Sequence, residues 1–275
     1  MKFLNIDELK LGEYINGYYL CKKKYIKKTR LGDFYIDLIL EDFSGIVRAK
    51  VWNHVDHFTK RIIENEIVAV KGIVVEFNNL NEINIDFINS VKNNFYEEYG
   101  YNTSYIIGKK PKNFSIIKKN IVSRINSLPK KYIHLIRSIY KCEKNKIESI
   151  PINKKNFLIK GGLFSYTYTL LMIFDSVKKY YSDIDHVKIT IGLLIGNIGF
   201  IRYYDNDLFS LTIDGKDYGD RILGVNLLVE SLSQHKNFNN DEIDYLKKCI
   251  LLDDYKITEI RFIKNLIMLG EIKSV

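Results

Sequence analysis

Residues 14–91 contain five segments in which apolar and polar residues alternate, and this alternation constrains the fold more than any other feature of the sequence. The predicted strands are 14–28, 34–40, 46–52, 67–77 and 82–88. Turn-forming residues separate them, and a polar segment of helical character at 55–64 stands between the third and the fourth. Three strands, a helix and a closing hairpin in this order favour a small Greek-key barrel.

The rest of the chain predicts helices. Apolar residues at helical spacing run through 114–140, and further candidate helices are 163–181, 186–199, 219–234, 240–251 and 256–270. The expected fold class is therefore multidomain β + α, an N-terminal OB-fold β-barrel followed by an all-α domain. We predict a barrel domain at 1–92, a basic and mostly helical connector at 93–160, and a helical domain at 161–275.

The formal charge of +9 is concentrated in the middle of the chain. Residues 93–160 have 15 basic and 4 acidic side chains, a net charge of +11, whereas 1–92 has a net charge of +1 and 161–275 a net charge of −3. Such a regional excess favours contact with a polyanion more strongly than the whole-chain value does. The alternative is that the lysines form a solvated helical face.

The third predicted strand and the turn before it resemble the segment by which many nucleic-acid-binding OB domains are recognised. Residues 38–52 read Leu-Ile-Leu-Glu-Asp-Phe-Ser-Gly-Ile-Val-Arg-Ala-Lys-Val-Trp, in which Asp42 and Ser44 can bond the amides of the turn. Alternation then directs Arg48, Lys50 and Trp52 to the outer face, where two cations and an indole suit phosphates and a stacked base. The alternative is that Trp52 caps the barrel under the helix.

The predicted nucleic-acid site combines this outer face with a basic first strand and the start of the connector. Its residues are Lys22, Lys23, Lys24, Tyr25, Lys27, Lys28, Arg30, Tyr35, Arg48, Lys50, Trp52, Lys109, Lys110 and Lys112, with Lys118, Lys119, Lys130 and Lys131 further along the connector. The predicted partner is single-stranded RNA or DNA. Because the lysines are expected to contact phosphates, we expect marked salt sensitivity.

The order of barrel, basic connector and helical domain resembles that of the YhaM-type 3′-5′ exoribonucleases over nearly the full chain. The matching motifs are Gly-Gly-Leu at 161–163, Leu-Leu-Ile-Gly-Asn-Ile-Gly at 193–199, Gly-Asp at 219–220, Asp-Asp at 253–254 and Lys-Asn-Leu at 264–266. The resemblance implies an HD-like helical domain. It places the family's metal ligands at Tyr166, Gly196, Asn197, Asp220, Asp253, Asp254 and Lys264.

These positions depart from the family's pattern, because none of them is a histidine. HD chemistry needs imidazole and carboxylate ligands that hold divalent ions and activate water. Gly196 has no side chain, and Asn197 lacks the negative charge that would bridge two ions. A Lys264 ammonium about 4 Å from a divalent ion would repel it by roughly 8 kcal/mol at an effective dielectric constant near 20. We therefore predict a degenerate metal site, no catalytic residue and no cofactor, as in a pseudo-enzyme.

Other interpretations remain open at this point. The Lys264 ammonium could replace the missing ion among Asp220, Asp253 and Asp254, or the last two could be exposed loop acids. The same three carboxylates could hold manganese in an active 3′-5′ exoribonuclease with a rearranged site. A third alternative is a structural subunit whose helices dock a protein partner.

The remaining features predict a cytoplasmic protein. Cys21, Cys142 and Cys249 are odd in number and have no metal-binding spacing, which fits reduced thiols. The longest apolar run, 189–201, is too short to cross a bilayer, and two acids within the first eight residues argue against a secretory signal. We expect no membrane contact, and the resemblance implies that a homo-oligomer is possible.

Overall fold

The structure, a computed structural model, describes residues 3–91, 96–142, 144–152, 154, 157–205, 211–235, 237–253 and 256–272. The chain divides into two compact units, Met1–Lys109 and Lys110–Val275, and each has its own hydrophobic core. The boundary lies inside the segment 93–160. Its described residues before the boundary therefore belong with the first unit, and its helices belong with the second.

The first unit is a closed five-stranded barrel. Its strands are β1 Tyr14–Lys28, β2 Phe34–Asp42, β3 Gly45–Val51, β4 Ile67–Phe77 and β5 Leu80–Ser90. The order around the barrel is β1-β2-β3-β5-β4, and β4 closes it by pairing with β1. All neighbouring strands are antiparallel except β3 and β5. A short helix, α1 at Val55–Thr59, connects β3 to β4, so the predicted OB-type barrel is confirmed.

Asp42 holds the turn between β2 and β3, as the sequence predicts. One carboxylate oxygen accepts hydrogen bonds from the N–H groups of Ser44 at 2.7 Å and Gly45 at 3.1 Å, and the other accepts from the N–H of Ile6 at 2.8 Å. Burial raises the pKa of Asp42, and these hydrogen bonds oppose the rise. The turn fixes the start of β3, which then buries alternate side chains: Val47, Ala49 and Val51.

The second unit is helical, as predicted, and its helices pack around one cluster of apolar residues. They are α2 Phe114–Asn126, α3 Lys130–Cys142, α4 Lys144–Ile147, α5 Gly162–Val177, α6 His186–Ile195, α7 Phe200–Tyr203, α8 Ile213–Ser233, α9 Asn240–Leu251 and α10 Thr258–Ile272. Within the described ranges, none of the helices combines the length and the apolar character needed to cross a membrane.

Helices α2 and α3 are part of this core, although the sequence places them in a connector. Ile121, Leu135 and Ile139 are fully buried, and Arg124 of α2 forms an ion pair with Asp175 of α5. Several lysines of the same helices are exposed: Lys118, Lys119 and Lys130. The basic excess of the segment is therefore partly the solvated face of two core helices.

Two glycines shape the contact between the segment that follows α6 and helix α8. A Cβ at Gly199 would lie 1.7 Å from the backbone carbonyl oxygen of Asp220, so a larger residue does not fit there. Gly219 has a φ of 74°, which L side chains rarely adopt, and it separates a short first piece of α8 from the long remainder. The close approach places the start of that remainder against the segment that follows α6.

Candidate functional site

Trp52 lies on the outer surface of the barrel, directly after β3. Its ring stacks on Tyr35 of β2, with ring centroids 4.7 Å apart and an interplanar angle of 25°. The indole remains 42% exposed, and its N–H donates a hydrogen bond to the side-chain oxygen of Asn84 at 3.0 Å. The arrangement is a solvent-facing aromatic pair, which differs from a cap under α1.

The cations of this face differ in how they are paired. The Lys50 ammonium lies 2.6 Å from the Glu82 carboxylate, and both side chains are almost buried, with 13% and 4% of their surface exposed. Lys27 is paired with Asp37, and the hydrogen bond between them raises the pKa of Lys27. Arg48 is exposed and forms no ion pair with any described residue. Arg48 is therefore better placed to meet a phosphate than either lysine.

The basic run of β1 is also partly neutralised. Lys22 is 2.9 Å from the carboxylate of Glu41, and Lys23 is 3.4 Å from that of Glu64. A hydrogen bond from the backbone N–H of Lys24 is the main cause that lowers the pKa of Glu64. An anionic ligand would have to compete with these carboxylates for both ammonium groups.

The Lys24 side chain is partly buried, and its ammonium is held by backbone carbonyl oxygens. Its ammonium donates hydrogen bonds to the backbone carbonyl oxygens of Thr59 at 3.1 Å and Ile62 at 2.6 Å. Both carbonyls belong to the segment that starts at α1. The predicted nucleic-acid residue Lys24 therefore holds this segment to β1.

The end of β1 and the loop after it remain open to solvent. Tyr25 is 46% exposed, Arg30 is exposed, and the Lys28 ammonium lies 4.6 Å from the ring centre of Phe34. Lys109 closes the first unit, and Lys110 and Lys112 belong to the second; all three are exposed. Lys23 and Lys27 are exposed but paired with carboxylates, so the exposed predicted residues of the barrel without an ion pair to a described residue are Tyr25, Lys28, Arg30, Arg48 and Trp52.

Some of the positions that the resemblance assigns to metal ligands are buried, and others are exposed. Tyr166 of α5 is fully buried. Asn197, which follows α6, is 3% exposed, and its side-chain oxygen has no hydrogen-bond donor among the described residues. Asp253, after α9, is exposed, whereas Asp254 lies outside the described residues.

A guanidinium lies beside these positions. One terminal nitrogen of Arg221 donates hydrogen bonds to the backbone carbonyl oxygens of Gly196 at 2.7 Å and Ile250 at 2.8 Å. Its Nε is 3.6 Å from the carboxylate of Asp220. Gly196 caps α6 and Ile250 lies in the last turn of α9, so the guanidinium faces the partial negative charge of two helix C-termini. Arg221 is not among the residues predicted from the sequence, although it directly follows Asp220.

The cation that forms an ion pair with Asp220 is Arg221. Lys264 lies on α10 and is half-buried. Among the residues that the structure describes, Asp220 forms its ion pair with Arg221 and Asp253 forms none. Because Asp254 lies outside the described residues, the placement of the Lys264 ammonium among the three carboxylates stays a prediction.

The described groups at this place do not fit a divalent metal ion. In the described part of the chain, no three His, Cys, Asp or Glu side chains form a group that could hold one. The Asn197 oxygen is a neutral acceptor, and Arg221 already donates to the Gly196 carbonyl. A divalent ion about 4 Å from the guanidinium would be repelled by roughly 8 kcal/mol at an effective dielectric constant near 20.

Two curated relatives are similar to 88% of this chain. One is named 3′-5′ exoribonuclease YhaM, from Oceanobacillus iheyensis, and is 23% identical over 247 residues, which cover 75% of its length. The other has the same name, comes from Shouchella clausii, and is 20% identical over 245 residues, again 75% of its length. No protein-family model matches the chain.

Two of the solved structures that are similar to this chain each match about a third of it. A domain of replication protein A from Methanococcus maripaludis is 23% identical and covers 33% of this chain and 96% of its own, with a TM-score of 0.29. The OB domain of Ta0387 from Thermoplasma acidophilum is 16% identical and covers 34% of this chain and 90% of its own, also with a TM-score of 0.29.

Proposed function

We propose that this chain, a YhaM-type protein with an N-terminal OB-type barrel, binds single-stranded nucleic acid and does not hydrolyse it. The observation that carries the binding proposal is the Tyr35–Trp52 stack on the outer surface of the barrel, in which Trp52 is exposed. An exposed ring pair offers a planar apolar surface to a base, and unpaired bases are free to stack on it. Titration of the protein into a fluorescein-labelled single-stranded oligonucleotide at low salt tests the proposal, and an absence of binding contradicts it.

The groups around the stack support the same ligand. Because an indole N–H can only donate a hydrogen bond, the Asn84 side-chain atom that faces Trp52 is its oxygen. The NH₂ group of Asn84 can then donate to a base edge. Phe77 extends the apolar surface toward the β4–β5 turn and is 50% exposed. The centre of its ring lies 4.2 Å from the Lys50 ammonium. Arg48 adds a charge that a phosphate can meet.

The pairing of the lysines predicts a shallower salt dependence than the sequence suggests. Arg30, Arg48 and Lys28 are the exposed cations of the predicted barrel site that have no carboxylate partner among the described residues. About three phosphate contacts correspond to a slope near −2 when the logarithm of the binding constant is plotted against that of the salt concentration. Binding isotherms at several KCl concentrations measure it. A slope steeper than about −5 would show that the paired lysines leave their carboxylates for phosphates.

The proposal that hydrolysis is absent is supported by Arg221 and by the donor set around it. We expect neither added Mn²⁺ nor EDTA to shift the thermal unfolding of the purified protein. An ion that binds only the native state raises its stability with ligand concentration, so a bound metal has to appear in this measurement. A rise in the unfolding temperature with Mn²⁺ that EDTA reverses contradicts the proposal.

The name of the curated relatives favours a second candidate, an active manganese-dependent 3′-5′ exoribonuclease. In that case Asp220, Asp253 and Asp254 would have to hold the ion. Incubation of 5′-labelled RNA with the protein and Mn²⁺ separates the two candidates, because stepwise shortening requires the enzyme. If shortening occurs, Asp253→Ala tests whether these acids are the ligands.

The cytoplasmic location, the homo-oligomer and the protein-docking alternative stay predictions. Size-exclusion chromatography with light scattering measures the assembly state. The same measurement with and without oligonucleotide shows whether nucleic acid changes the assembly state.

A further inference from the structure

A second concave site lies on the barrel, away from the Tyr35–Trp52 stack. This cleft has a volume of about 390 Å³, which is in the range of small-ligand pockets. Its floor comes from the outer surfaces of β1 and β4, where Asn16 and Lys71 are directly opposite each other. By contrast, Tyr35 belongs to β2, and Trp52 directly follows β3. The two sites therefore occupy different strands of the barrel.

The walls of the cleft are aromatic. Phe3 packs on Tyr18 with ring centroids 4.7 Å apart, Tyr96 meets Tyr18 edge to face at 6.2 Å, and Tyr99 lies 6.5 Å from Tyr96. Tyr18 is buried, whereas Tyr99 is 60% exposed at the mouth. A planar ring that enters between these residues can contact both stacked and edge-on partners.

Two polar groups indicate which chemical groups a ligand of this cleft must carry. The side-chain oxygen of Asn16 is buried and has no hydrogen-bond donor among the described residues, a condition that is costly unless a ligand supplies the donor. Lys71 is exposed and forms no ion pair with a described residue. A flat ring, an N–H donor and an anionic group together describe a nucleotide.

We infer that the cleft formed by Phe3, Asn16, Tyr18, Lys71, Tyr96 and Tyr99 binds a nucleotide. The base lies between the aromatic walls, one of its N–H groups donates to the Asn16 oxygen, and the phosphate meets the Lys71 ammonium. The nucleotide can be free or part of a strand. This site goes beyond the proposed binding on the Tyr35–Trp52 stack and does not depend on it.

The test is calorimetric titration of the full chain with AMP, adenosine and ribose 5-phosphate. We expect AMP to bind, and ribose 5-phosphate to bind at least about fivefold more weakly because it lacks the stacking base. Tyr99→Ala should weaken AMP binding about fivefold, and Lys71→Ala should weaken the binding of AMP but not that of adenosine. Both side chains are exposed, so these variants keep the fold, which thermal unfolding confirms.

The matched control is Trp52→Ala, which should leave the AMP affinity within about twofold while it weakens oligonucleotide binding. Competition between AMP and an unlabelled oligonucleotide then identifies the source: displacement of AMP indicates a strand, and independent binding indicates a free nucleotide. The inference is overturned if AMP does not bind, if ribose 5-phosphate binds as well as AMP, or if Trp52→Ala abolishes AMP binding. Loss of oligonucleotide binding alone would overturn only the proposed function.

Discussion

Replacing Trp52 by alanine should weaken the binding of a single-stranded oligonucleotide about 5- to 140-fold. The change removes the exposed partner of the Tyr35–Trp52 stack, and base–aromatic stacking contributes about 1–3 kcal/mol per base. At about 1.4 kcal/mol per tenfold change, that range gives the expected loss of affinity. Fluorescence anisotropy of a labelled oligonucleotide measures it, and Trp52→Phe should retain most of the binding.

Tyr180→Ala is the matched control, because Tyr180 is an aromatic residue of the helical unit that is 73% exposed. Its loss should leave the affinity unchanged. Trp52 is the only tryptophan in the chain, so its own fluorescence reports ligand contact in the unmodified protein. A Trp52→Ala variant that binds within twofold of the parent, or an oligonucleotide that binds without changing the Trp52 emission, would falsify the proposed interface.

Arg221→Met should destabilise the helical unit by about 2–4 kcal/mol. The change removes a charged donor shared by the Gly196 and Ile250 carbonyls, and hydrogen bonds to charged groups contribute about 1.5–3 kcal/mol each. It also takes the positive charge away from two helix C-termini. Urea unfolding followed by far-ultraviolet circular dichroism measures the loss, because the helices dominate that signal.

Arg202→Met provides the comparison. Arg202 forms a bidentate ion pair with Glu230, at 2.7 and 2.6 Å, in a solvent-accessible position, so its loss should cost less than about 1 kcal/mol. The fluorescence of Trp52 reports the barrel separately and should show an unchanged transition in both variants. If Arg221→Met is no more destabilising than Arg202→Met, the guanidinium does not hold the helix ends together.

The strands could be predicted because their signal is local. Alternation of apolar and polar residues sets the face of each strand without reference to the rest of the chain, and the predicted bounds of β1 and β4 coincide with those observed. Helix α1 ends at Thr59 instead of residue 64, and Lys24 donates to two carbonyls of that region. Because such a contact joins residues that are far apart in sequence, no local pattern predicts it.

The candidate sites were predicted less completely for the same reason. The sequence indicates that Lys27 and Lys50 are outward-facing cations, but their carboxylate partners are set by the pairing of β2 with β1 and of β3 with β5. Residue types alone therefore overstate the charge available to a phosphate. Arg221 was missed because the resemblance directs attention to ligand positions, and Arg221 occupies none of them.

The hydrogen bonds of Arg221 hold the ends of α6 and α9 without a metal ion. A metal ion that joins helix ends can be lost by dilution, by chelation or by exchange for another ion. The stability of such a fold therefore depends on the concentration of that metal ion. A guanidinium is covalently attached and keeps its charge throughout the physiological pH range. The junction of α6, α8 and α9 is thus formed as soon as the chain folds, and scarcity of trace elements leaves it intact.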